Sequence, residues 1–310
     1  MGGYSLDMRR AAILVPIAIA FVLLVPAMPS YAETTMRLDV HLVAGARSTP
    51  HPLLLTLGGP IYCMQLRTLA RRFDASLACA DYGPNRYVRA GTRAGRLEDW
   101  GDPGYLAEVA RVPGALRRSG VQISELVLVG VSYSGFANAE LVATHPELHP
   151  AALIVVDSYL DLAARYAALP ATHETRNEIQ TALGGPPEGR RQVYDARSPS
   201  HHLDGLAKAI RAGTRFIDVW SISDEERREF RGATCSRLAN AEWLSSLADV
   251  LGQPVTGYVT HLRHAHALWD RGMGLLQLAG LTRTARPLRP QQVSFRPGEK
   301  PPVGSFCAMP

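Results

Sequence analysis

Ser132 stands at the centre of Gly130-Val131-Ser132-Tyr133-Ser134-Gly135, after the apolar run Leu126 to Val129 and before the helix-like stretch Phe136 to Thr144. A buried strand that turns sharply into a helix forces its central residue into a strained backbone conformation and lifts that side chain clear of the sheet edge. The helix packs close beneath such a turn, so its neighbours must be small, as Gly130, Ser134 and Gly135 are. A glycine-rich turn also joins strands to helices with no chemistry attached; the correct element on both flanks sets this one apart. A serine hydroxyl is a weak nucleophile near neutrality, so it needs a histidine base, and the base needs a carboxylate to fix its tautomer and orientation. The chemistry implied is acyl transfer.

The elements that must position these groups follow from hydrophobic periodicity. Met36 to Val43 alternates apolar and polar residues, the mark of a half-buried strand, expected at an antiparallel edge. Leu53 to Leu57, Leu77 to Ala80, Leu126 to Val129, Leu153 to Val156, Phe216 to Trp220 and Val255 to Val259 are unbroken apolar runs, expected as strands buried on both faces. Helical patterns separate them over Gln65 to Phe73, Tyr105 to Ser119, Phe136 to Thr144, Leu203 to Ala212 and Ala239 to Leu251. This alternation predicts an α/β fold, a mostly parallel sheet with helices on both faces. The long interval between Val156 and Arg215 predicts an inserted cap at 158–200, and the proline-rich stretch 286–310 an extended C-terminal tail without further elements.

With Glu125 to Gly135 and its flanks in view, the chain resembles the α/β-hydrolase superfamily, Ser134 standing where the usual Gly-x-Ser-x-Gly turn has its second glycine. The resemblance runs over roughly Met36 to Leu281 and is weakest across the expected cap. It implies the chain order serine, acid, histidine. Asp224, after the run Phe216 to Trp220, is the favoured acid; the stretch from Ser198 to Glu226 resembles the approach to the acid in prolyl-oligopeptidase-like members, with Ser221 where they usually carry glycine. Asp157 competes because it closes the run Leu153 to Val156, as the acid does in some lipases of the superfamily, and Glu225 is a further rival; Asp218, inside its strand, reads as structural. The base belongs to the loop His261-Leu-Arg-His264-Ala-His266-Ala-Leu-Trp269, where His266, ahead of the aromatic Trp269, is favoured over His264 and His261. The resemblance also implies an oxyanion hole from the backbone N–H of Tyr133 and one from Leu57-Gly58-Gly59-Pro60, which looks like the glycine-rich loop of proline iminopeptidase relatives. Gly59 is the expected donor, since Pro60 has none; Gly58 and Ile61 are alternatives.

Composition bounds the function. A chain of 310 residues, 46% hydrophobic and 20% charged, is long enough for one hydrolase domain at 33–285. Residues 1–32 read as a signal peptide: Arg9 and Arg10 precede an apolar run broken by Pro16 and Pro26, and Ser30-Tyr31-Ala32 offers a cleavage site after Ala32. The mature protein is then expected in the secreted or periplasmic space with no membrane span. Four cysteines in an oxidising compartment suggest two disulfides, Cys63 with Cys79 and Cys235 with Cys307. Scattered arginines and a net charge of +5 give no basic patch, which argues against nucleic acid as a partner. The His-x-x-His-x-His cluster invites a metal, but no carboxylate or thiolate partner pattern accompanies it, so no metal and no cofactor is expected. The expected activity is hydrolysis of a carboxylic ester or, alternatively, a short peptide. A binding protein that has lost activity on the same fold is the reading from a different class.

Overall fold

The computed structural model describes residues 36–58, 60–81, 100–221, 238–283 and 286–300. Its frame is an eight-stranded sheet with spatial order β1-β3-β2-β4-β5-β6-β7-β8. The strands are β1 (Arg37–His41), β2 (His51–Leu57), β3 (Ser76–Asp81), β4 (Ile123–Val131), β5 (Ala152–Val156), β6 (Arg215–Ser221), β7 (Val255–Thr260) and β8 (Gln291–Phe295). Strands β2 to β7 pair in parallel, while β1 and β8 run antiparallel along β3 and β7. Each apolar run expected as a strand is one, and β1 is the antiparallel edge its alternation predicts.

Two apolar layers sandwich this sheet because successive side chains of a strand point to opposite faces. In β4, Val127, Val129 and Val131 face one cluster and Leu126 and Leu128 the other, all buried. The helices α1 (Pro60–Phe73), α2 (Pro103–Ala110), α3 (Val112–Arg118), α4 (Tyr133–Thr144), α5 (Leu162–Ala168), α6 (Glu174–Leu183), α7 (Pro187–Asp195), α8 (Leu203–Arg211), α9 (Leu238–Leu251), α10 (His266–Trp269) and α11 (Gly272–Leu278) follow in order. Leu66 and Leu69 of α1 and Leu275 and Leu276 of α11 cover one face; Leu106 of α2, Leu141 of α4, Leu206 of α8 and Leu244 of α9 cover the other. Each such aliphatic side chain, fully buried, contributes about 1.5–3 kcal/mol.

Two differences from the sequence reading have local causes. The single helix expected over Tyr105 to Ser119 is two, joined at Arg111, because Pro113 lacks an N–H and occupies the first turn of a new helix. The described part of the expected tail, 286–300, contains a strand: Val293 and Phe295 turn inward against β7, while Gln291, Gln292 and Ser294 stay exposed. That alternation is only five residues long between Pro290 and Pro297, too short to stand out in a proline-rich stretch. The interval between β5 and β6 is helical, holding α5, α6, α7 and α8.

Cys63 of α1 is bonded to Cys79 of β3, the pairing expected from sequence. Cys235 and Cys307 lie outside the described residues. No helix among the described residues is long and apolar enough to cross a membrane.

Candidate active site

Parallel strands deliver their C-terminal ends to one edge of the sheet, where the chain turns into helices. Ser132 stands at that edge between β4 and α4, with φ 55° and ψ −124°. A positive φ is costly for any residue bearing a Cβ. The surrounding contacts hold it there: Ser132 N–H donates to Val156 O of β5 at 2.9 Å, and its carbonyl accepts from Phe136 N–H at 3.1 Å. The small neighbours are needed sterically. A Cβ on Gly130 would come within 2.6 Å of the Ser134 carbonyl carbon, and one on Gly135 within 2.1 Å of Ser158 Oγ. Ser134, in the place of the second glycine, is fully buried and shares a hydrogen bond of 2.5 Å with Thr56 Oγ1 of β2. The extra hydroxyl therefore ties the turn to the neighbouring strand.

Tyr133 opens α4, so its backbone N–H lies in the helix's first turn, at the sheet edge. Its buried ring lies among Trp100 at 5.3 Å, Tyr62 at 6.4 Å and Phe136 at 6.5 Å between centroids. Gly58, at φ +119°, continues β2 into the glycine-rich loop, and a Cβ there would meet the Tyr62 ring at 2.5 Å. Gly59 lies outside the described residues, as do Asp224 and Glu225.

Asp157 directly follows β5 beside the serine turn, again at positive φ, 50°. Its carboxylate is fully buried yet well supplied with donors. Ser221 N–H donates to Oδ1 at 2.6 Å, Ser221 Oγ–H to Oδ2 at 2.8 Å, and Ala265 N–H to Oδ2 at 2.8 Å. Ala265 is a third strained residue, at φ 67°. The histidine loop thus folds back over the end of β5, and His264 Nδ1 comes to 3.9 Å from Asp157 Oδ2. His266 turns elsewhere: its Nδ1 bonds Asp270 Oδ2, four residues on, at 2.7 Å, and its ring lies 5.4 Å from that of Trp269. His261 is exposed. Asp218 is buried within β6 and accepts from Trp220 Nε1 at 2.9 Å, the structural role expected of it.

The edge therefore sets Ser132 and Tyr133 against the end of β5 through the Val156 bond, with Asp157 next along the chain and His264 3.9 Å from its carboxylate. Ser221 and Ala265 hold the Asp157 carboxylate and Thr56 holds the serine turn, and sequence reasoning does not single them out for this, because Ala265 acts through its backbone N–H, Ser221 through its N–H and hydroxyl, and Thr56 through a contact between β2 and the start of α4. The only sequence signal at Ser221 is its departure from glycine.

No family model matches the sequence, and no curated protein does. Solved structures match the fold. A puromycin-hydrolyzing peptidase from Mycobacterium tuberculosis superposes with a TM-score of 0.53 at 16% identity, over 78% of this chain and 36% of its own. A puromycin hydrolase complexed with PGG gives 0.55 at 17% identity, over 84% and 42%. An acylaminoacyl peptidase from Pyrococcus horikoshii gives 0.51 at 13% identity, over 76% and 38%. The chain spans less than half the length of these three proteins. The sheet order, the strained serine between β4 and α4 and these superpositions lead to one conclusion: the chain has the α/β-hydrolase fold.

Proposed function

We propose that the chain is a serine hydrolase that cleaves a carboxylic ester through an acyl-enzyme, with Ser132 as nucleophile, His264 as general base and acid, and Asp157 orienting the imidazole. The observation that carries the reading is the backbone of Ser132, a positive-φ serine between a buried strand and a helix, locked by neighbours with no room for a larger side chain. His264 presents Nδ1 toward Asp157, which leaves Nε2 to take the serine proton. The 3.9 Å gap is longer than a hydrogen bond, and free enzymes commonly tighten such contacts only when substrate is bound. Asp157 and His264 replace the sequence-favoured Asp224 and His266 in this proposal because of their geometry: His266 is already bonded to Asp270.

In the proposed cycle the Ser132 Oγ–H proton passes to His264 Nε2 as Oγ bonds the substrate carbonyl carbon. The oxyanion accepts hydrogen bonds from Tyr133 N–H and Gly59 N–H. His264 then protonates the leaving alcohol as its bond breaks, and water repeats the sequence to free the acid and restore Ser132. Every step uses groups of the chain, so the proposal requires no metal or cofactor.

Ser132→Ala is expected to abolish turnover of a short p-nitrophenyl ester and labelling by a fluorophosphonate. His264→Ala and Asp157→Asn should each lower kcat by about 10³-fold or more, while His266→Ala and Asp224→Asn keep activity within tenfold. Loss in the second pair with activity retained in the first would return the roles to Asp224 and His266.

A second reading, hydrolysis of a peptide or aminoacyl amide by the same residues, is supported by the fold relatives, which are peptidases and puromycin hydrolases. Comparing kcat/KM on matched esters and aminoacyl amides decides between the two. We further propose export, with the leader removed after Ala32, in keeping with the Cys63–Cys79 disulfide.

A further inference from the structure

We propose that Ser221 is a positioning residue for the acid, its hydroxyl fastening the Asp157 carboxylate to the histidine loop; this rests on the reading of Asp157 and His264 as acid and base. Ser221 is the last residue of β6, fully buried, and level with Thr260 of β7. Its backbone N–H takes Asp157 Oδ1 at 2.6 Å, fixing one carboxylate oxygen. Its hydroxyl is within reach of two acceptors, Asp157 Oδ2 at 2.8 Å and the carbonyl of Arg263 at 3.3 Å. Arg263 immediately precedes His264.

A serine hydroxyl has one proton to donate, so the two acceptors share it. With the proton on Oδ2, that oxygen receives both Ser221 Oγ–H and Ala265 N–H, and His264 Nδ1 stands back at 3.9 Å. With the proton turned to the Arg263 carbonyl, one lone pair of Oδ2 is released for Nδ1–H, while the loop carrying His264 is drawn toward the end of β6. The hydroxyl thus spans the acid and the backbone beside the base, and both of its bonding states serve their approach.

Glycine at this position would supply the N–H but neither hydroxyl bond. With the acid at the end of β5, the neighbouring strand end supplies donors that hold it.

The test compares Ser221→Ala and Ser221→Gly, which keep the N–H and lose the hydroxyl, with Ser221→Thr, which keeps both, using the full chain and a p-nitrophenyl ester. Misplacing a catalytic group by about 1 Å costs up to roughly 10²-fold. The Ala and Gly variants should lose ten- to hundredfold in kcat with KM within threefold of the parent, and Thr should restore kcat to within fivefold of it. Unchanged kcat in folded Ala or Gly variants overturns the proposal, as does a Thr variant that folds with the parent's Tm yet is as slow as Ala. Should Ala and Gly both fail to fold, Ser221→Cys, nearly isosteric and a weak donor, takes their place in the same comparison. Asp157→Asn separates the two levels. If it is slow and Ser221→Ala is not, only the Ser221 role falls; if it retains full activity, the assignment of the acid falls and takes the Ser221 role with it.

Discussion

Glu140 of α4 has both carboxylate oxygens buried without a hydrogen-bond partner. His202 Nε2 lies 3.4 Å from one of them, close enough for charge attraction but outside hydrogen-bond geometry. Burial penalises the charged form and pushes its pKa well above the ordinary 4.5. The sign of the consequence is fixed by linkage. Between the unfolded and the raised folded pKa the folded state holds the proton more often, so stability falls as pH climbs through that window. Glu140→Gln should therefore raise Tm by several degrees at pH 8, with the gain shrinking toward pH 4.5, as a thermal melt at each pH will measure. A gain of equal size at both ends would show that charge burial is not its cause. Residue-scale features of this kind are poorly legible in sequence. Ser132 announces itself by its small neighbours, whereas Asp157 and Asp224 look alike in sequence as acids after apolar runs, and the positive φ and converging donors of Asp157 are visible only in three dimensions. The Asp270 partner of His266 is visible at i+4 in the sequence, and that spacing is the clue to its engagement.

At the scale of elements, the serine turn is only as fixed as α4, and α4 is pinned by α8 crossing it closely. A Cβ on Gly205 would fall 1.8 Å from the backbone oxygen of Ala143. Gly205 does not have a left-handed φ, so space alone demands glycine there. Alanine would gain about 1 kcal/mol in helix propensity, but the two helices would have to part. Gly205→Ala is expected to be destabilising by a net of about 1–2 kcal/mol, measurable by denaturant titration, with the midpoint moved down; a rise would mean the crossing is loose. Strands and most helices were readable because apolar runs and 3.6-residue patterns are long signals. The break at Arg111 and the strand β8 depend on one proline and on a pairing partner far along the chain, neither of which periodicity captures.

The whole molecule joins an apolar leader pattern at its N-terminus to a disulfide between α1 and β3. The disulfide is compatible with the export proposed above. Intact mass of the exported protein without reductant should place the N-terminus at Glu33 and show Cys63 and Cys79 resistant to alkylation; a start at Met1, or free thiols at both positions, would refute export with cleavage. Fold class was legible at this scale because strand and helix alternate along most of the chain, while the site needed the sheet order that sets β5 beside β4.

Of the eight described strands, the two outermost are the antiparallel ones, five residues each. An exposed strand edge is a template on which another chain can grow, and short edges flanked by residues that cannot donate frustrate it. Pro290 and Pro297 bracket β8, and Asp39 and His41 place polar side chains along β1. The same short margins that end the described sheet protect the aliphatic strands within it from fibril-like stacking at high concentration.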